Sequence, residues 1–262
     1  MPGMATEISA GELRRVDAIR YVTPLREGGS LPGLVEGDDD GTWVVKFRGA
    51  GQGTGALVSE IVAGEIARRI GLPVPELVLV RVAPELGHAE PDPEIKELIA
   101  ASPGLNVGMD FLPGALPFAP APEGELDPDL AAEIVFFDAL VTNIDRTPRN
   151  PNLLSWHGRT WLIDHGASFY RQHGSAPLAE TAAAPTPVLR DHVLLPVAGS
   201  LAEAGERLAG RVAEAIEPAL GLVPDEWLGE DPAVRREDFR LFLERRLAGR
   251  EEFIAELEAD DG

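Results

Sequence analysis

The sequence has no cysteine. Disulfides, thiolate metal sites and cysteine nucleophiles are therefore excluded. Lysine is nearly absent. Lys46 and Lys96 are the only two, so arginine carries almost all the positive charge. There is no uninterrupted apolar run of about 18 residues, so no membrane-spanning helix is expected. Residues 1–13 lack a basic start followed by an apolar stretch and do not read as a secretory signal, and the absence of cysteine fits the expectation of a cytoplasmic protein. Basic charge is outweighed altogether: 23 Lys and Arg face 44 Asp and Glu, a formal net charge of -21. A field of that sign repels phosphate backbones and anionic lipid, which argues against nucleic acid or membrane as partner. The five histidines, at 88, 157, 165, 173 and 192, show no metal-ligand spacing, so no zinc site is expected.

What is present is a chain of 262 residues, 44% apolar, enough to bury a core. Residues 33–36 and 42–48 read as two strands joined by the turn signal Gly37-Asp38-Asp39-Asp40-Gly41, a hairpin. Residues 49–55 form a glycine-rich loop. Leu57, Ile61, Val62, Ile66 and Ile70 then recur at helical spacing, and Gly71, Pro73 and Pro75 stop the helix. Residues 76–82 and 106–112 read as further strands, and the charged, proline-spaced stretch 84–103 holds at most one short helix. The proline- and glycine-rich connector 115–128 marks a change of character. An apolar helix follows over 129–141, then a short strand at 161–163, then helices over 201–216 and 236–257. The fold class expected is α+β, with a β-rich part over residues 1–112 carrying one main helix and a mostly helical part over 113–262.

The loop after the apolar helix concentrates polar groups: Asn143-Ile144-Asp145-Arg146-Thr147-Pro148-Arg149-Asn150-Pro151-Asn152. A tight turn at His157-Gly158-Arg159 and the segment Trp161-Leu162-Ile163-Asp164-His165-Gly166 come next. Phosphoryl transfer needs a carboxylate to orient and deprotonate the attacking hydroxyl. It also needs an amide oxygen and a second carboxylate to hold Mg²⁺ on the phosphates, and hard oxygen donors suit that ion. Asp145, Asn150 and Asp164 fit those roles in that order.

Lys46 lies in the strand Val44-Val45-Lys46-Phe47, on the face it shares with Val44. A buried ammonium needs an anion, and Glu60 and Glu65 on the following helix are the candidates. A strand lysine paired to a helix glutamate can grip the phosphates of ATP. Two glycine-rich stretches compete to cover those phosphates: 26–33, with Gly28, Gly29 and Ser30, and 49–55, with Gln52 and Gly53.

These elements together resemble HipA-like kinases and, more distantly, phosphoinositide lipid kinases. The resemblance rests on the Val-Val-Lys strand, the Ser59-Glu60 helix ending in Gly71-Leu72-Pro73-Val74-Pro75, the Asn143-Ile144-Asp145-Arg146 to Asn150 loop and Ile163-Asp164-His165-Gly166. It covers roughly residues 20–170. It implies a bilobal protein-kinase-like fold, ATP and Mg²⁺ as cofactors, and transfer to a hydroxyl of a protein Ser/Thr or a small molecule. By that resemblance Lys46 pairs with Glu60, Asp145 is the base, and Asn150 and Asp164 bind the metal. Met109, Phe111 and Leu112 would then form the hinge that meets adenine. The sequence departs from protein kinases in having Asn143-Ile144 where His-Arg stands, and His165 where phenylalanine stands. Toxin action and a translation-related substrate do not carry over.

Two other readings fit parts of the sequence. A nucleotide-binding pseudokinase would bind without turnover, although every charged and metal role is filled. A dinucleotide-binding oxidoreductase would use the strand, glycines and helix at 42–70. However, Thr54 occupies the third-glycine position, and the next strand offers Arg81 where an acidic ribose ligand belongs.

Overall fold

A computed structural model describes residues 11–25, 31–51, 53–88, 90–118 and 126–259. The chain divides into two compact units, Met1–Leu57 with Glu76–Phe111, and Val58–Pro75 with Leu112–Gly262.

The first unit is a closed barrel. Its strands are β1 (Arg15–Pro24), β2 (Gly33–Gly37), β3 (Thr42–Lys46), β4 (Leu77–Val82) and β5 (Gly104–Asp110). The order around the barrel is β1-β2-β3-β5-β4. β2 and β3 form the expected hairpin, with Val35 opposite Trp43. β5 pairs antiparallel with β3 on one side and β4 on the other. β1 closes the ring by pairing parallel with β4, Val16 opposite Val80. Strict alternation sends Val35, Trp43, Val45, Phe47, Val78, Val80 and Val82 into one buried cluster with Val16. The stretch 84–103 yields a single turn at Pro84–Gly87 and the helix Pro93–Ala100, whose Ile95 and Ile99 join that cluster. A closed sheet in which β3 has antiparallel neighbours on both sides is not the open parallel sheet a dinucleotide-binding oxidoreductase needs. That alternative is set aside on this ground.

Between β3 and β4 runs α1 (Thr54–Ile70). It ends where Gly71 takes a φ of 96°, the left-handed cap that glycine accepts without a steric cost. Counting the helix at 93–100 as α2, the second unit continues with α3 (Pro128–Val141), α4 (Leu201–Leu220), α5 (Pro232–Ala248) and α6 (Arg250–Glu258). The helical stretch read as continuous over 236–257 is broken at Gly249. α3 is started by Asp127, whose side chain accepts from the Asp129 amide, with Pro128 at the first helical position. It is buried on every side: Ile134, Val135, Phe136, Phe137 and Leu140 are at most 1% exposed. Phe136 lies 5.5 Å from Phe253 of α6, the two rings tilted by 50°. Phe169 sits 5.0 Å from Phe239 and 5.8 Å from Phe242, both on α5. A small antiparallel sheet, β6 (Leu116–Pro117), β7 (Leu153–Trp156) and β8 (Arg159–Leu162), supports the segment that leads to Asp164.

Candidate functional site

The polar loop starts where α3 stops. Thr142 takes a left-handed φ of 52° and turns the chain out of the helix. Asn143 then works in three directions. Its amide N–H donates to the Asp138 carbonyl at 2.8 Å. Its Nδ2 donates to Asp138 Oδ1 at 3.0 Å, and its Oδ1 accepts from the Asp145 amide at 3.3 Å. The loop folds back at Thr147 and Asn150, whose backbone groups bond each other both ways at 3.1 Å. That turn brings two expected site residues together: Asn150 Nδ2 donates to Asp145 Oδ2 at 2.8 Å. Asn152, which the sequence reading did not single out, adds a second amide to the same oxygen at 3.3 Å. The Asp145 carboxylate is thus half-buried and fixed through one oxygen. With Nδ2 of Asn150 facing Asp145, Oδ1 of Asn150 takes no part in that bond.

Asp164 follows β8 and has a φ of 58°. A non-glycine residue in that region is uncommon and costs energy, a pattern that clusters at functional positions. Next to it, His165 is fully buried and lies edge-on to Phe137 at 6.4 Å. Its Nδ1 is 3.8 Å from Glu60 Oε1 on α1, and Glu60 itself is 1% exposed. Glu65, the other glutamate considered for Lys46, takes a 2.6 Å bond from Arg68 on its own helix. Among the described residues no cluster of three His, Asp or Glu side chains is placed to hold a metal. Asn150 and Asp164 each carry a hard oxygen of the kind Mg²⁺ prefers.

Under the loop lies a buried ionic network. Asp138, on α3, is fully buried and accepts from Arg146 Nε at 2.5 Å as well as from Asn143. Arg146 Nη1 donates to the carbonyl of Asn152 and, at 3.3 Å, to that of Ile163. One guanidinium therefore joins the loop carrying Asp145 to the residue before Asp164. Burial alone would raise the Asp138 pKa. The Arg146 charge and the bond from His192 outweigh it and hold the group well below the usual carboxylate range.

In the first unit, Lys46 lies near the end of β3 on the half-buried face that also carries Val44, while Trp43 and Val45 point into the core. The loop after it is tied down. The Arg48 amide donates to Asn106 Oδ1 at 2.8 Å and the Gly49 amide to Ser102 Oγ at 3.1 Å. The Ala50 amide bonds Phe47 O at 3.0 Å, and that of Gly53 bonds Ala50 O at 2.7 Å. These four N–H groups are already engaged, so an anion there would have to displace them. Gly28, Gly29, Ser30 and Gln52 lie outside the described residues. Met109 is on β5 opposite Val44 and Leu77. The amide of Phe111 donates to Thr42 O at 3.0 Å. Leu112, in the second unit, is 6% exposed.

Against known proteins, residues 18–252 match the family model described as HipA-like kinase. The chain belongs to the HipA-like kinase family. Among solved structures, the crystal structure of a Helicobacter pylori proinflammatory kinase, CtkA, matches with a TM-score of 0.53 at 12% identity. The match covers 94% of this chain and 99% of that one, and it gives this HipA-like chain a kinase-like fold. The Golgi casein kinase matches at a TM-score of 0.46 and 12% identity, over 96% of this chain and 73% of its own, and adds nothing to that assignment. A comparison with curated proteins gives no match.

Proposed function

We propose that this HipA-like kinase is an ATP- and Mg²⁺-dependent phosphotransferase of bilobal form, acting on an alcohol group of a protein or a small molecule. The observation that carries the reading is the Asp145 carboxylate, held through one oxygen by the Asn150 and Asn152 amides. Its other oxygen is left for an incoming hydroxyl. A base fixed in this way is oriented in advance to take a proton from a hydroxyl brought within hydrogen-bond reach.

In the reaction, Asp145 accepts the acceptor's hydroxyl proton as that oxygen attacks the γ-phosphorus. The bond from phosphorus to the bridging oxygen breaks, and ADP leaves with that electron pair. Asn150 and Asp164 would hold Mg²⁺, which when bound neutralises charge on the phosphate oxygens. Lys46 grips the phosphates. Glu60 is the carboxylate assigned to it, as the family resemblance implies. Met109, Phe111 and Leu112 are assigned to adenine. Gly28, Gly29 and Ser30 are assigned to cover the phosphates, with Gln52 and Gly53 as the lesser choice given the engaged Gly53 amide. Residues 1–112 and 113–262 would correspond to the two lobes.

Calorimetry of ATP binding with and without Mg²⁺, on wild type and Asp164→Asn, tests the site. The expected result is Mg²⁺-dependent binding that the substitution weakens at least tenfold. Absence of ATP binding in the wild type refutes the proposal.

A further inference from the structure

We infer that His192 is a positioning residue for the catalytic loop, acting through Asp138 and Arg146; the inference rests on the kinase reading above for its catalytic consequence. His192 lies on the segment 187–197, far along the chain from the loop, and is 4% exposed. Its Nδ1 accepts from the Leu194 amide at 3.0 Å. A nitrogen that accepts from an N–H carries no proton, so in the neutral ring the proton is on Nε2. Nε2 lies 2.9 Å from Asp138 Oδ2, the oxygen that also takes the Arg146 bond. The Leu194 amide therefore fixes the tautomer that makes His192 a donor to Asp138. The same segment holds the loop a second time: the Val193 amide donates to the Arg146 carbonyl at 3.0 Å.

The network's end points show what it is for. A buried ion pair is poor evidence for added stability, since apolar side chains of the same volume often do as well. Here the charge ends on backbone carbonyls at two chosen places. Arg146 reaches Asn152 O, the carbonyl of a residue whose side-chain amide holds Asp145, and Ile163 O, directly before Asp164. His192 and Asn143 keep Asp138 in place, Asp138 orients Arg146, and Arg146 sets the spacing of base and metal carboxylate. No apolar filling could do this, because it would have no directional bonds to those carbonyls.

The test uses the full chain with His192→Phe, which keeps a ring and removes both nitrogens. His192→Gln, whose Nε2 reaches about as far as that of histidine, is the rescue variant. Amide hydrogen exchange reads loop order without any need for activity, and ATP hydrolysis reads the catalytic consequence. In His192→Phe the amides of 143–152 should exchange at least about tenfold faster, the scale of one lost charge-assisted hydrogen bond. Those of α4 should hold steady. The kcat for Mg²⁺-dependent ATP hydrolysis should fall by a similar factor with KM for ATP within about twofold, and His192→Gln should recover most of both. Faster exchange spread evenly over the second unit, or an unchanged loop, overturns the inference. A wild type that neither binds nor hydrolyses ATP sinks the kinase reading, and the exchange pattern then still decides whether His192 orders the loop.

Discussion

Removing the Asp138 carboxylate should be among the most damaging single changes in the second unit. In Asp138→Ala the Arg146 guanidinium stays buried without its anion, and the donors on Asn143 and His192 lose their acceptor. Breaking one side of a buried ion pair costs about 3–5 kcal/mol, a large share of the roughly 5–15 kcal/mol that holds a domain folded. Urea unfolding followed by far-UV circular dichroism, which reports mainly the helices of this unit, measures the loss. The double variant Asp138→Leu with Arg146→Met removes both charges, so it should be clearly more stable than the sum of the two single changes predicts. The reasoning fails if Asp138→Ala lies within about 1 kcal/mol of wild type, or if the single costs simply add. Acid gives an independent check. The folded pKa of Asp138 is below its unfolded value, so its contribution is complete above the unfolded value near pH 4 and is lost as pH falls below that. Below about pH 4 the wild type should therefore lose stability faster than the Leu/Met double variant.

Asp145→Asn should keep Mg²⁺-dependent ATP affinity within a few-fold while lowering phosphoryl transfer about 10²-fold or more, the usual weight of a general base; equal loss of binding and turnover would point to a structural role. Gly108→Ala should destabilise the first unit by about 1–3 kcal/mol, because an added methyl would sit 2.5 Å from a Val80 methyl and 2.9 Å from one of Val78 inside the barrel. Hydrogen exchange confined to residues 11–57 and 76–111 would read that loss. Asp231→Ala removes the acceptor for the Val234 amide at the start of α5 and should cost about 1 kcal/mol in the same urea assay.

The hairpin at 33–46 and the helix at 54–70 were legible from their periods and the turn signals at their ends, and the helix at 128–141 as an apolar run between a proline-rich connector and a polar loop. β1 was not. Ile19 is 62% exposed and Val22 39% exposed, so over much of its length this strand has no apolar face whose alternation could be read. Its partner β4, moreover, lies some sixty residues downstream. The pairing of Asp145 with Asn150 was legible as a spacing, but Asn152 was not, since only the turn at Thr147 and Asn150 brings it round to the same oxygen. The buried network did leave a trace. An aspartate inside Ile134-Val135-Phe136-Phe137-Asp138-Ala139-Leu140-Val141 has to be paired if the helix is buried on all sides. What no local pattern could supply was the identity of the partners, because His192 reaches Asp138 only through the packing of the whole unit.

The barrel's closure sets a timetable for the chain. β1 is made first and finds its parallel neighbour only at β4, with Val16 meeting Val80. β3 waits longer, until Lys46 can pair with Val107 on β5. Until residue 110 is available the first unit is a set of strands with open edges, and an open edge is a template for pairing with another molecule. Once β5 slots between β3 and β4, the five strands share all their edges and that hazard ends. Mutations that slow this last insertion would then appear as poor yield of folded protein from a chain whose finished barrel is as stable as before.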